Sequence, residues 1–168
     1  DLVKDAGALS PEARRRLREQ VGPGMAGRGI DVLTVVGPDD QILAAPHNRG
    51  TVGEAAPELR ALAASAKVVY RERKIMGASK IKTVLVAETA RVAKDGPYTV
   101  VVAVGRAIDA RLVTAVRRAG QIDTRVVDAS GRELAAPAEP GWTTQAGQRV
   151  RIALAADGAE VAAWIEVL

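Results

Sequence analysis

The stretch that most constrains how this chain folds is YTVVVAVGRAIDARLVTAVRRAG, residues 98–120. Its first part, Tyr98 to Val104, is dominated by valine and opens directly after the breaker pair Gly96-Pro97, which predicts a buried strand. At Gly105 the period changes. Ile108, Leu112, Ala115, Val116 and Ala119 recur at helical spacing on one apolar face, and Gly120 stands where a helix stops. A strand feeding a helix therefore lies at the centre of the chain, and the segments on its two sides resemble each other.

At 168 residues the chain has length for one domain or for two small lobes sharing an interface. Apolar residues make up 48%, but with no Phe, two Trp and two Tyr the core has to be built from Val, Leu, Ile and Ala. There is no cysteine, so disulfides and thiolate metal sites are excluded, although an oxidising compartment does not require disulfides in a chain of this size. The net charge of +4 is modest and gathered in patches. A nucleic-acid groove pairs such cations with stacking aromatics, which are nearly missing, and this argues against nucleic acid as a partner. No apolar run in these residues approaches the ~18 that cross a bilayer, and none of them reads as a signal peptide. The chain opens at Asp1 without Met and stops at Ile165-Glu166-Val167-Leu168, within what reads as a strand, so the expectation is a piece of a longer protein.

In order, Ser10-Pro11-Glu12 is a helix start, with Ser10 as cap and Pro11 at the first helical position. Arg14, Arg15, Arg16 and Arg18 read as a solvated face near a helix C-terminus that welcomes positive charge. Gly22, Gly24 and Gly27 match the spacing of a dinucleotide loop, but they follow a helix and precede a strand, the reverse of the context phosphate binding needs. Val32 to Val36, the turn Gly37-Pro38-Asp39-Asp40 and Ile42 to Ala45 predict a hairpin. His47, the only histidine, lies in the loop behind it; with no Cys and no second His, a metal or catalytic role would need carboxylates alone. Glu54 to Ala66 predicts a helix with Leu59, Leu62, Ala63 and Ala66 on one face.

The most basic stretch is Lys67 to Lys82, with Lys67, Arg71, Arg73, Lys74, Lys80 and Lys82 against Glu72. In a strand starting near Val68, Arg71 and Arg73 share a face and Tyr70 takes the other. Two forked guanidiniums, with a hydroxyl from Tyr70 or Tyr98, suit a small anionic ligand; ordinary surface charge is the competing reading. Ile81 to Val92 is a further strand, expected to pair antiparallel with the central one.

After the central helix the chain repeats itself. Aligning Thr34 to Pro46 with Arg125 to Pro137 gives six identities in thirteen positions without a gap, on a skeleton of Val-Val, a polar turn and Leu-Ala-Ala-Pro. Val150 to Ala155 and Glu160 to Val167 form a last hairpin. The order of "VLTVVGPDDQILAAP", a helix, "TVLVAETARVAKDGPYTVVVAVGRAIDARLVTAV", "TRVVDASGRELAAP" and "RVRIALAADGAEVAAWIEVL" resembles the extracytoplasmic sensor domains of bacterial membrane histidine kinases, of the PAS-like or Cache type. The first hairpin carries Gly37 and Asp40 where the second has Asp128 and Gly131, and no aromatic-arginine box of the amino-acid-binding Cache kind is found, so amino-acid sensing is not implied.

The resemblance implies an α/β (α+β) fold: an antiparallel sheet with flanking helices and a second, smaller hairpin-rich lobe. The expected divisions are an N-terminal helix and connector (1–31), a main lobe (32–120) and a smaller lobe packed on it (121–168). It implies a periplasmic signal-sensing domain of an inner-membrane protein whose other parts are transmembrane helices and a cytoplasmic kinase. The expected partners are a small anionic ligand at Tyr70, Arg71, Arg73 and Tyr98 and a second copy in a homodimer. No catalytic residue, metal ligand or cofactor is expected. The rival readings are a protein-interaction or dimerisation module without a small ligand and a small enzyme using carboxylates alone.

Overall fold

The computed structural model describes residues 10–77, 80–95, 98–120, 124–128, 130–136, 150–155 and 161–167. These fall into two units: one of residues up to Val68 with Arg73–Thr83 and Glu88–Arg106, the other of Val69–Glu72, Val84–Ala87 and everything from Ala107 onward. The second unit thus takes in the central helix as well as Val69–Glu72 and Val84–Ala87, whereas the sequence reading starts the smaller lobe near Gly120.

The first helix, α1 (Pro11–Val21), begins as its sequence demands, with Pro11 at the first position and Ser10 Oγ accepting the Ala13 N–H at 3.2 Å. It buries no residue and lies beside β2. The main sheet runs β2-β1-β5-β4-β3, from β1 (Val32–Val36), β2 (Ile42–Ala44), β3 (Val69–Met76), β4 (Ile81–Asp95) and β5 (Tyr98–Ala107), with α2 (Pro57–Ser65) between β2 and β3. β1 is antiparallel to both β2 and β5. A sheet with antiparallel neighbours and flanking helices is the α/β (α+β) architecture expected from the sequence.

Helix α2 starts three residues later than the sequence suggests because the backbone before it is already committed. Ile42 N–H donates to the Glu54 carbonyl at 2.9 Å and Ala56 N–H to the Asp40 carbonyl at 2.8 Å, so 54–56 run against β2 and the helix begins at Pro57. It ends on Ala66 in the left-handed region, whose N–H reaches the Leu62 carbonyl. Leu59, Leu62 and Ala63 are its buried residues, as their spacing predicts. Arg60 fastens the helix to the β1–β2 turn: Nε donates to Asp40 Oδ1 at 2.5 Å and Nη2 to the Gly37 carbonyl at 2.8 Å.

The central strand is buried, but not on both faces. Val101 and Ala103 have no exposed surface, whereas Val102 and Val104 are half-buried, so β5 alternates and its core register is Val101-Ala103, opposite Val36 and Thr34. The expectation of a buried run from Tyr98 to Val104 is thus corrected to alternate positions, with Val102 outside the core and its neighbours Val101 and Ala103 in it.

In the second unit α3 (Ala110–Gly120) precedes a sheet ordered β7-β6-β9-β8, from β6 (Thr124–Asp128), β7 (Glu133–Ala135), β8 (Val150–Ala155) and β9 (Val161–Val167). Leu85, Val113, Val126, Ala135, Leu154 and Ala163 form its core, with Tyr70, Ile108, Leu134 and Ile165 packed against it. Asp109 caps α3, accepting the Leu112 N–H at 3.0 Å. Here a second expectation needs correcting: Val113 is the residue α3 buries, while Ala115, Val116 and Ala119 of the predicted apolar face are exposed.

The two hairpins repeat each other in their backbone pairing. Val35 pairs with Ala44 and Val36 with Ile42, with a bulge between; Val126 pairs with Ala135 and Val127 with Glu133, with a bulge at the aligned step. Gly37 N–H donates to the Gln41 carbonyl and Asp128 N–H to the Arg132 carbonyl, each at 2.9 Å. Asp40 (φ 60°) and Gly131 (φ 84°) hold the same left-handed turn position. β1 then pairs with β5, and β6 with β9, both antiparallel. The second sheet therefore repeats the order of the first four strands of the main sheet, with β9 in the place of β5 and β8 in that of β4.

Candidate functional site

The first unit carries a cleft of about 920 Å³ between α1 and the loop behind β2. Pro11, Arg15, Arg18, Glu19 and Gly22 line it from one side; their spacing of four, three, one and three residues keeps them on one helical face. Pro23 and Met25 of the connector, Ala44 to His47, Arg49 and Val52 complete the lining. The wall is thus largely apolar, with three guanidiniums and one carboxylate. The Arg15 to Glu19 pair, at 3.8 Å between two well-exposed side chains, is weak. Arg18 Nε donates to the Arg14 carbonyl at 3.1 Å.

His47 is fixed at the rim by its own backbone and ring. Its carbonyl accepts the Met76 N–H at 2.7 Å. Nδ1 lies 3.0 Å from the Leu33 carbonyl and 3.4 Å from the Leu33 N–H, and the shorter contact assigns the proton to Nδ1 as donor to that carbonyl. Burial lowers the imidazole's pKa; the bond to Leu33 opposes this and the charge of Arg73 adds to it. The ring is accordingly neutral at pH 7. Among the described residues no group of three His, Asp or Glu is placed to hold a metal ion.

The residues expected to bind an anion are placed as follows. On β3, Tyr70 packs its ring against the apolar core of the second unit. Arg71 is half-buried and has polar interactions of its own. Arg73 is engaged by Glu88 of β4, Nη2 donating to Oε2 at 2.6 Å and Nε to the same oxygen at 3.2 Å. Tyr98 opens β5, and its side chain lies outside the described residues.

Sequence reasoning missed Arg15, Arg18 and Arg49 as cleft residues and Glu88 as the acid holding Arg73. For α1 the signal was present: Pro11, Arg15, Arg18 and Gly22 fall on one face, so the arginines are not one solvated group. For Glu88 there was a weaker signal, a lone acid at the alternation of Val86 and Ala90, both without exposed surface. Arg49 becomes part of the cleft only through the tertiary path of the loop.

No protein-family model matches the sequence, and no curated protein does. Among solved structures, the chain is similar to the periplasmic domain of Vibrio cholerae LuxQ, with 12% identity over 83% of this chain and 72% of that one and a TM-score of 0.46. A selenomethionine crystal structure of the same periplasmic domain gives 14% identity over 94% and 78%, with a TM-score of 0.47. Among the described residues no helix is long and apolar enough to cross a membrane.

Proposed function

We propose that this chain is an extracytoplasmic signal-sensing domain of a membrane histidine kinase, which receives a small anionic ligand and passes a conformational bias to a cytoplasmic kinase. The observation that carries the reading is the cleft walled on one side by α1. That helix lies beside β2 without burying a residue of its own, and a ligand seated in the cleft biases the domain to the extent that it favours one position of α1 over another. A PAS-like sheet with an open cleft and a second, repeated sheet offers a surface for recognition and transmission rather than a site for bond making.

Because the chain contains no cysteine, its side of the membrane can be read against a blank background. Val68 is 57% exposed, so Val68→Cys adds one reachable thiol to this domain, and the same longer protein without the substitution is the blank. A membrane-impermeant maleimide applied to intact cells labels this variant if the domain is extracytoplasmic. Labelling only after lysis places the domain inside and ends the proposal.

The exposed face of α3 supports a second reading, a self-association module. Ala115, Val116 and Ala119 stand exposed together, with Val116 45% exposed, an arrangement that suits close helix packing between two copies. Sedimentation of wild type and Val116→Glu decides it: the reading requires a dimer that the variant weakens.

A further inference from the structure

We propose that the cleft between α1 and the loop behind β2 takes a small organic anion with a compact apolar body, its carboxylate or phosphate-monoester head held by Arg15, Arg18 and Arg49 and its body lying against Met25, Pro46 and Val52. It rests on the sensing proposal only in calling that molecule a signal.

Charge points to the head group. The cleft's ionised side chains are three arginines and Glu19, and His47 adds no cation at neutral pH. A guanidinium presents its donors as a planar fork that matches the two oxygens of a carboxylate or phosphate, and no lysine is used here in its place. The contact that competes for Arg15 is an exposed pair at 3.8 Å, which an incoming anion with better geometry replaces at little loss. Charge also separates these arginines from Arg73, whose fork is already turned onto the buried Glu88.

Shape points to the body. A cavity of about 920 Å³ is far larger than an inorganic ion needs and lies within the ~300–1,000 Å³ range of organic-ligand sites. Met25 is buried beside it, and a flexible thioether adapts to the outline of an apolar group. The loop supplying Arg49 is itself tied down, with Thr51 Oγ1 donating to the Asn48 carbonyl at 2.9 Å, so this wall of the cleft is shaped before the ligand arrives.

The test is isothermal calorimetry on the 168-residue chain at low ionic strength, where exposed charge is least screened. The probes are hexanoate, hexyl phosphate, inorganic phosphate, hexanol and hexylammonium. Hexanoate, hexyl phosphate or both should bind, at least ten-fold tighter than inorganic phosphate and hexanol, with no heat from hexylammonium; whichever of the two binds better identifies the head group. Arg15→Gln/Arg18→Gln and, separately, Arg49→Gln should each weaken binding at least ten-fold, whereas Arg16→Gln, which removes one charge from α1 away from the cleft, should leave it unchanged. Equal affinity in Arg16→Gln and in the cleft variants, no binding of either hexyl anion, or inorganic phosphate matching hexyl phosphate would overturn the proposal. An unchanged melting curve of each unliganded variant shows that the loss is not unfolding. The maleimide experiment is independent of all these outcomes, so the cleft and the sensing role fail separately.

Discussion

Arg73 on β3 directs two donors onto one oxygen of Glu88 on the neighbouring β4, at 2.6 and 3.2 Å, and Glu88 has no exposed surface at all. A carboxylate withdrawn from water in this way depends on its cation. Arg73→Met should therefore destabilise by about 3–5 kcal/mol, because the buried acid loses the two charged donors that this guanidinium supplies. In Arg73→Met/Glu88→Leu most of that loss should return. Urea unfolding of the two variants is the check; a double variant at least as unstable as the single one contradicts the pairing.

The alternation of β5 gives a contrast between adjacent valines. Val101→Asp places a carboxylate in the fully buried register and should destabilise by several kcal/mol, enough to prevent folding of a marginal domain. Val102→Asp, on the half-buried face, should cost clearly less. Circular dichroism melts of the pair decide it, and equal losses would mean that both faces of the strand are sealed.

Two left-handed backbone positions predict effects of opposite sign. Gly131 occupies φ 84° in the second turn, so Gly131→Ala should destabilise by about 1–2 kcal/mol. Ala66 already endures φ 54° at the end of α2, and Ala66→Gly should stabilise by about 1 kcal/mol. Midpoints of chemical unfolding report both. A stabilised Gly131→Ala would remove the claim that the two hairpin turns share a conformation.

Acid should weaken the fold, and His47 should account for part of it. The folded ring has its pKa below the ordinary 6.5, so above that value both states are neutral and the contribution is fully present. As pH falls below 6.5 the unfolded chain takes up the proton first, and stability is lost until the folded pKa is passed. Asp109 acts in the same sense at lower pH: burial raises its pKa, but the Leu112 amide and Arg111 outweigh this and lower it, so its contribution is lost as pH falls through the folded value. Comparing melts at pH 7.5 and 5.5, His47→Gln should lose less stability than wild type. Equal losses would show that the ring takes no part.

Much of this architecture is written locally. Ser10-Pro11 places the start of α1, the Val-Val and Leu-Ala-Ala-Pro skeleton places both hairpins, and valine density places β5, because caps, turns and alternation act over a few residues. What fails is what depends on distant chain. Periodicity gave α3 an apolar face but could not say that Val113, off that face, is the residue its unit buries. The same holds for Glu54 to Ala56, which are helix formers spent on β2. The cleft was the least legible feature, since Arg15 and Arg49 line one cleft only because α1 lies beside β2. The set Tyr70, Arg71, Arg73 and Tyr98 was read from charge and strand alternation, and neither discloses a buried acid across the sheet such as Glu88.

The central claim is that occupation of the cleft changes the output of an attached kinase. Autophosphorylation of the longer protein in sealed membrane vesicles, with hexanoate or hexyl phosphate supplied to the face on which this domain lies, tests it most directly. The account predicts a rate that changes at least two-fold with whichever anion binds the isolated chain, and no change in Arg15→Gln/Arg18→Gln. A rate indifferent to an anion that calorimetry shows to be bound would contradict it.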